Sequence, residues 1–191
     1  MIIALIGPHG VGKSTLGALL AERLGLPFDG EVGRRLAEDP AWRPAGLGAE
    51  RSGDEFDAEV MAQELLRDLD REGQARVVET WHPGNLAYAA RRSPRVAAAY
   101  LAALRRAGAG QRVLVLPLLA APAVLAARQS EPGDAAFYQA VGEDALRWTQ
   151  HLGMPMVPAL RADRHAPDEL ARQVVPRLRR ALRDPSLRPA A

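Results

Sequence analysis

The sequence contains no cysteine, a single lysine and few aromatic residues. Without cysteine, the chain can form neither disulfide bonds nor thiolate metal sites. Tryptophan, tyrosine and phenylalanine occur three times each, and no compact basic run is interleaved with them, which argues against nucleic acid as a partner. The longest uncharged apolar run, Val113 to Ala127, is broken by Pro117 and Pro122 and is too short to span a bilayer.

The remaining composition is that of one globular domain. The 191 residues are 48% apolar and 25% charged, which is ordinary for a chain that buries a single core. The start, Met1–Ile6, lacks the basic leader and the cleavage site of a signal peptide. We therefore expect a cytoplasmic protein with no membrane contact.

Short apolar segments alternate with helical patterns along the chain. We predict strands at Met1–Ile6, Leu26–Asp29, Ala75–Glu79, Arg112–Leu118 and Met154–Leu160. The alternation with helices predicts an α/β fold, with helices on both faces of a mainly parallel five-stranded sheet. The helix predicted at Asp54–Glu72 is expected to bury one apolar stripe, formed by Ala58, Met61, Ala62, Leu65 and Leu69.

Proline and glycine divide the predicted domain, residues 1–183. The segment 39–53 is rich in both and is predicted to be a mobile substrate loop. A second break at 128–134 is predicted to form a short lid, and residues 184–191 a frayed tail.

The pattern G-x-x-x-x-G-K-[ST] is met by Gly7, Gly12, Lys13 and Ser14. Its glycines let backbone N–H groups wrap around phosphates, and the helix that follows presents its positive N-terminus to the same anion. Lys13 would neutralise the outer phosphates and Ser14 would supply a hydroxyl to Mg²⁺. The predicted nucleotide contacts are Gly7, Pro8, His9, Gly10, Val11, Gly12, Lys13, Ser14 and Thr15.

The only lysine of the chain stands in this loop. All other basic side chains are arginine, yet the position that must reach between phosphates has a slim ammonium group. A forked guanidinium would fit poorly there, because the surrounding loop leaves little width. We expect the cofactors to be ATP and Mg²⁺.

Several classes of P-loop protein can be set aside. An Asn-Lys-x-Asp guanine-reading element needs a second lysine, and the Leu-Ser-Gly-Gly-Gln signature of transporter ATPases does not occur. The length leaves no room for a separate helical domain of the AAA+ type. What remains is a small, self-contained kinase-like unit.

The loop and three later segments carry a family resemblance, and one of these segments is Asp54-Glu55-Phe56 followed by Gln63. The run from Gly7 to Leu16 resembles the opening of P-loop small-molecule kinases, including thymidylate kinases and the NadR-like nicotinamide riboside kinases. Glu31 and Arg34 resemble the Glu-x-x-Arg element of the NadR-like group, and the strand that ends at Glu79 resembles the second acidic strand. The resemblance implies a P-loop phosphotransferase, without naming its substrate. Thymidylate and deoxynucleoside kinases usually have arginine just after that acid, where this chain has Thr80 and Trp81.

Glu79 is the second predicted catalytic group. It ends a hydrophobic strand and should face the phosphate loop at the carboxyl edge of the sheet, where ligands bind in such folds. A carboxylate there can hold the water shell of Mg²⁺ together with Ser14, or it can accept the proton of an attacking hydroxyl.

The acceptor is expected to lie beside this acid. Trp81 could stack on a flat substrate, or it could pack into the core, and His82 could contact substrate or cap the turn. By resemblance, Arg34 could pair with a phosphate and Gln63 could read a base edge. The predicted substrate contacts are Glu31, Arg34, Gln63, Trp81, His82 and Asn85, with Arg35 as the alternative to Arg34.

Phosphoryl transfer also favours an arginine that closes over the transition state. Arg128, at the edge of the predicted lid, is the first candidate and Arg147 the second. The leading hypothesis is an ATP-dependent kinase acting on a nucleoside, nucleotide or similar small acceptor, with a homodimer left open. The alternative is a regulatory NTPase switch that acts with a macromolecular partner and uses water as acceptor.

Overall fold

The computed structural model describes residues 1–40, 42, 53–107, 112–128 and 135–184. The predicted substrate loop therefore lies outside the described residues except for its two ends and Trp42. The predicted lid lies outside them except for Arg128, and the predicted tail except for Asp184. Among the described helices, none combines the length and the apolar character that crossing a membrane requires.

Five strands and eight helices alternate along the described chain. In order they are β1 (Ile2–Ile6), α1 (Lys13–Leu24), β2 (Phe28–Asp29), α2 (Val32–Glu38), α3 (Asp54–Asp70), β3 (Arg76–Glu79), α4 (Trp81–Arg92), α5 (Pro94–Ala107), β4 (Val113–Leu119), α6 (Pro122–Ala127), α7 (Ala135–His151), β5 (Leu160–Arg161) and α8 (Pro167–Arg183). The sheet order is β2-β3-β1-β4-β5, and every pairing is parallel. The predicted α/β/α fold with a five-stranded sheet is confirmed.

The central strand β1 is buried on both faces. Its side chains alternate: Ile3 and Leu5 belong to a core shared with α1 and α8, whereas Ile2, Ala4 and Ile6 belong to a core shared with α4 and α7. This period of two explains why the segment is a continuous apolar run. Helices therefore cover both faces of the sheet.

The predicted last strand is longer than the observed one. Instead of Met154–Leu160, only β5 pairs as a strand, and Met156 makes one isolated bridge with Val115. Pro155 and Pro158 carry no N–H group, so a regular ladder cannot continue through them.

The stripe predicted for α3 is wrong in part. Met61 is buried, but Ala58 and Ala62 are exposed and Leu69 is 69% exposed. The buried face instead combines apolar residues with three acids, and these residues are Phe56, Asp57, Val60, Met61, Glu64 and Asp68. Each acid is buried with an arginine: Asp57 with Arg92, Glu64 with Arg67, and Asp68 with Arg76. Because paired charges can be buried, apolar periodicity alone misplaces this face.

Candidate active site

The loop between β1 and α1 is shaped by close backbone packing. Gly12 caps α1 with φ of 99°, a conformation that side-chain-bearing residues rarely adopt. A Cβ atom on Gly7 would lie 2.3 Å from the carbonyl oxygen of Leu118 in β4. The loop can therefore lie against the end of β4 only with glycine at position 7.

Lys13 folds back into this loop. Its Nζ donates hydrogen bonds to the carbonyl oxygens of Gly7 and Pro8, both at 3.0 Å. The side chain is 6% exposed. Burial lowers the pKa of Lys13, while the carboxylates of Glu31 and Glu79 partly oppose this. An incoming polyphosphate would supply the negative charge that a buried ammonium group requires.

Ser14, Glu79 and Arg34 meet at the mouth of the loop. The Ser14 hydroxyl donates to Oε1 of Glu79 at 2.9 Å. Arg34 donates to Ser14 Oγ at 3.1 Å and to the same Glu79 oxygen at 3.4 Å, and it pairs with Glu31 at 3.4 Å. Glu79 is only 2% exposed. Four side chains that were predicted from separate segments are thus brought together.

The position of Glu79 follows from the sheet. It ends β3 opposite Leu5 of β1, so its side chain emerges at the same edge as the phosphate loop. A hydroxyl and a carboxylate are hard oxygen ligands that suit Mg²⁺, which binds through one or two such groups together with phosphates and water. Ser14 and Glu79 therefore fit a magnesium ion held with a nucleotide.

Aromatic rings lie beside this cluster. His9 stacks on Tyr138 of α7 with ring centroids 4.6 Å apart, and Tyr88 of α4 meets Tyr138 at 6.5 Å, edge to face. Arg92 lies over the Tyr88 ring at 4.9 Å. Burial raises the pKa of Tyr88, and the nearby charges of Glu31 and Arg34 raise and lower it respectively, so Tyr88 lies within electrostatic range of the charged cluster. Sequence reasoning missed Tyr88 and Tyr138, and the scarcity of tyrosine was the one signal that could have singled them out.

A cavity of about 600 Å³ opens on the other side of the loop. It is lined by loop residues Gly10 and Gly12, by Arg128, and by the segment between β5 and α8. Within that segment, Asp163 accepts from Arg161 at 2.7 and 2.9 Å and from the Ala121 backbone N–H at 3.0 Å. The hydrogen bond from Arg161 holds the pKa of Asp163 well below its usual range. The Asp163 carboxylate is therefore already hydrogen-bonded to other groups of the protein.

The two lid candidates differ in position. Arg128 follows α6 and donates to the Gly10 carbonyl at 3.4 Å, so it lies against the phosphate loop. Arg147 pairs with Asp144 on the exposed side of α7 and is 65% exposed. The geometry favours Arg128.

The predicted substrate residues divide into three groups, two of which lie at or near the site. Glu31 and Arg34 join the Glu79 cluster, whereas Gln63 bonds Arg35 at 2.9 Å and Glu59 at 2.8 Å. Glu31, Arg35 and Gln63 line a second cavity of about 510 Å³ beside β2 and α3. Gln63 therefore lies near the site but bonds to Arg35, not to the cluster.

Trp81, His82 and Asn85 lie in the core. Trp81 is 3% exposed, and its indole N–H donates to Asp68 at 3.2 Å. His82 contacts Asp68 at 2.9 Å, and Asn85 donates to Glu64 at 3.1 Å. The structure favours the packing alternative for Trp81 over stacking on substrate, and it gives His82 buried polar partners in α3 and α5.

Comparison with known proteins agrees with this architecture. A family model described as an AAA domain matches residues 2–166. The length argument that set aside the AAA+ type was therefore wrong for this family, because length bears only on an additional helical domain. The shikimate kinase of Colwellia psychrerythraea is 54% identical over 43 residues, which cover 21% of this chain and a quarter (25%) of that protein's length.

Two solved structures share the fold over nearly their whole length. YorR of Bacillus subtilis, in complex with phosphorylated GDP, is 20% identical to this chain, with a TM-score of 0.59. The match covers 96% of this chain and 99% of the YorR chain. Deoxyadenosine kinase of M. mycoides with bound dATP is 12% identical and covers 94% and 100%, with a TM-score of 0.68. At these identities they establish the fold, and the predicted resemblance to small-molecule P-loop kinases is confirmed.

Proposed function

The chain belongs to the AAA domain family. Within that family, we propose that it is an ATP-dependent phosphotransferase acting on a small molecule. The observation that carries the proposal is the contact between Ser14 and Glu79 at 2.9 Å, directly beside the buried Lys13. A γ-phosphate bound on this loop would then lie among a hydroxyl, a carboxylate and an ammonium group, which supports the proposal.

The donor nucleotide would bind with its phosphates on the loop. Backbone N–H groups of the loop and Lys13 would hold the β- and γ-phosphates, and the base would enter the cavity beside Arg128. Among the described residues that line this cavity, Asp163 is the one carboxylate, and it is already bound by Arg161 and Ala121. Guanine presents N–H groups that need such an acceptor, so the lining favours adenine.

Magnesium bound to the phosphates would neutralise charge on the transferred group. Ser14 and Glu79 would hold this ion and its water shell, because they are already in hydrogen-bond contact. Arg34 donates to both side chains, and it would stabilise negative charge on the acceptor or on the phosphoryl oxygens.

The acceptor would approach from the side of His9, Tyr88 and Tyr138. Its oxygen forms a bond to the γ-phosphorus, the bond between that phosphorus and the β–γ bridging oxygen breaks, and ADP leaves. The acceptor proton passes to water or to Glu79. The rings of His9, Tyr88 and Tyr138 form an aromatic wall, and a small acceptor with a planar group, such as a nucleoside or nucleotide, fits against it. Arg128 would close over the transferring group. The cytoplasmic location and the homodimer stay predictions.

The test is ADP formation from ATP and magnesium with a panel of nucleosides, nucleoside monophosphates and small hydroxy acids. We expect at least one acceptor to stimulate the reaction, and Glu79→Gln to reduce the stimulated rate about 100-fold, as removal of a transition-state contact typically does. Glu143→Gln, on the exposed side of α7, is the matched control. Hydrolysis that no acceptor stimulates, but that a macromolecular partner does, would instead support the regulatory NTPase.

A further inference from the structure

The chain makes an unusual turn directly after Glu79. Thr80 has φ of 67° and ψ of −60°, and Trp81 has φ of 48°. They are the two residues other than glycine with positive φ among the described residues. For a β-branched residue such as threonine this region is strongly disfavoured, and such conformations persist only where neighbouring groups enforce them.

The carboxylate of Asp68 contacts side chains on both sides of this turn. It accepts hydrogen bonds from the Trp81 indole at 3.2 Å, from His82 Nε2 at 2.9 Å and from Arg76 Nη2 at 2.6 Å. Arg76 begins β3, whereas Trp81 and His82 begin α4. One side chain of α3 therefore joins the segment before Glu79 to the segment after it.

The donors around Asp68 are buried. Arg76 is fully buried, and Trp81 and His82 are nearly so, while Tyr100 contacts the other ring nitrogen of His82. Burial by itself raises the pKa of Asp68, but the hydrogen bonds from His82 and Trp81 outweigh it and keep the pKa below its usual value. Asp68 is thus a carboxylate that accepts from three donors, a role that an amide would fill only in part.

A second contact restrains the same turn. The Thr80 carbonyl accepts from the Gly84 N–H at 3.1 Å, and a Cβ atom on Gly84 would lie 2.4 Å from Thr80 Cγ2. Glycine at position 84 therefore leaves the space that the Thr80 side chain occupies. A methyl group there would displace Thr80, the residue next to Glu79.

We propose that Asp68 is a positioning residue for Glu79: it holds the strained turn at Thr80 and Trp81, and the turn keeps the Glu79 carboxylate against Ser14. The inference rests on the proposed function, since it concerns the magnesium site of the transfer reaction. The turn acts on Glu79 through the backbone, because Thr80 is the next residue in the chain. The Thr80 N–H also donates to the Leu5 carbonyl at 3.0 Å, so the turn begins at the end of the pairing between β3 and β1.

The first test is Asp68→Asn, assayed by calorimetry for binding of a non-hydrolysable ATP analogue with and without magnesium. We expect the magnesium concentration at half-saturation to rise about 10- to 100-fold, the range seen when a group that orients a metal ligand is removed. Binding of the analogue without magnesium should stay close to that of the unaltered chain, because the loop and Lys13 are intact. The indole N–H resonance of Trp81 should shift, which reports directly on the lost hydrogen bond.

Stability is controlled separately. Leu178→Ala, in the core on the opposite face of the sheet, should also destabilise the protein, but it should leave the magnesium dependence unchanged. If Leu178→Ala shifts the magnesium dependence as much as Asp68→Asn does, the effect is general loosening and the proposal is overturned.

The second test uses the Gly84 contact. Gly84→Ala should weaken magnesium-dependent binding, and adding Thr80→Gly should restore it, because glycine has no Cγ2 and adopts positive φ readily. Unchanged magnesium binding in Asp68→Asn, or no rescue in the double variant, would overturn the proposal. These binding measurements need no acceptor. Failure of every acceptor would therefore count against the proposed function alone.

Discussion

Replacing Lys13 by methionine should separate nucleotide binding from folding. The ammonium group is the only one on a side chain of this protein, and it already makes two hydrogen bonds inside the phosphate loop. Methionine keeps a similar length but cannot bind phosphate. Because burial lowers the pKa of Lys13, the charged form is not favoured by folding itself, and the free energy of unfolding without ligand should change by less than about 1 kcal/mol.

The loss of affinity can be estimated from the contact that disappears. A hydrogen bond to a charged group contributes about 1.5–3 kcal/mol, and every 1.4 kcal/mol is a tenfold change in Kd. We therefore expect the Kd for the ATP–magnesium complex to be weaker by about 10-fold or more, and a loss at the upper end of the range makes it about 100-fold weaker. At a ligand concentration about 100 times the original Kd, the unaltered chain gains about 2.7 kcal/mol of stability. With a Kd weaker by about 100-fold, the variant would gain only about 0.4 kcal/mol at the same concentration.

Thermal denaturation with and without the nucleotide measures this difference. For a chain of this size, 1 kcal/mol shifts Tm by about 2–4 °C, so the nucleotide should raise Tm by about 5–10 °C in the unaltered chain and by about 1 °C in the variant. Arg23→Met is the matched control, because it removes a positive charge from the same helix at an ion pair with Asp168. A Kd for Lys13→Met within about threefold of the original, less than 1 kcal/mol, would refute the reasoning.

The single lysine also permits a test on the unaltered protein. An amine-specific reagent has one side-chain target in this sequence, Lys13. Bound nucleotide should protect Lys13 from the reagent. Equal labelling of Lys13 with and without nucleotide would contradict its contact with phosphate.

Three further predictions concern the surroundings of the phosphate loop. In Gly142→Ala, the new Cβ would lie 2.7–2.9 Å from atoms of Pro8, so denaturant unfolding should show a loss of about 1–3 kcal/mol; unchanged stability would mean that this contact is not tight. Burial lowers the pKa of His9 below 6.5, so as the pH drops the unfolded chain takes up this proton first, and the free energy of unfolding should fall below about pH 6.5. His9→Phe should remove this part of the pH dependence of stability. An identical pH dependence in both proteins would contradict the prediction. Asp163→Ala leaves the Ala121 N–H without its acceptor and should weaken ATP binding by about 1–3 kcal/mol. The binding of inorganic tripolyphosphate, which has no base, should stay unchanged. Equal losses of affinity for both ligands in calorimetry would place the effect on the phosphate loop instead.

Much of the fold could be predicted from local patterns. The strands predicted at Met1–Ile6, Ala75–Glu79 and Arg112–Leu118 are observed within one residue of those bounds, because each is a short apolar run buried on both faces of a parallel sheet. The last strand could not be predicted well, since its prolines look apolar but cannot donate to a ladder. The buried face of α3 was missed because two of its three acids, Asp57 and Asp68, are paired with arginines from other elements, and no local pattern in α3 reveals those partners.

Parts of the candidate site differ in the same way. The phosphate loop and the acid at Glu79 were predictable, because each belongs to one short segment whose chemistry depends on its own residues. The aromatic wall was not, since Tyr88 and Tyr138 come from α4 and α7, which are far apart in sequence. Trp81 shows the limit most clearly: its sequence neighbours left open a substrate contact or a place in the core, and the structure favours the core through its apolar neighbours and its hydrogen bond to Asp68 in another helix.

The amino-acid sequence by itself determined the class of fold and the place where a polyphosphate would bind, because alternating apolar periods and one glycine-rich turn are local properties of the chain. Only the tertiary structure decided which charged side chains surround that place. Contacts such as Ser14 with Glu79, and Asp68 with Trp81, join residues that are distant in sequence, and their distances are set by how parallel strands and their covering helices pack.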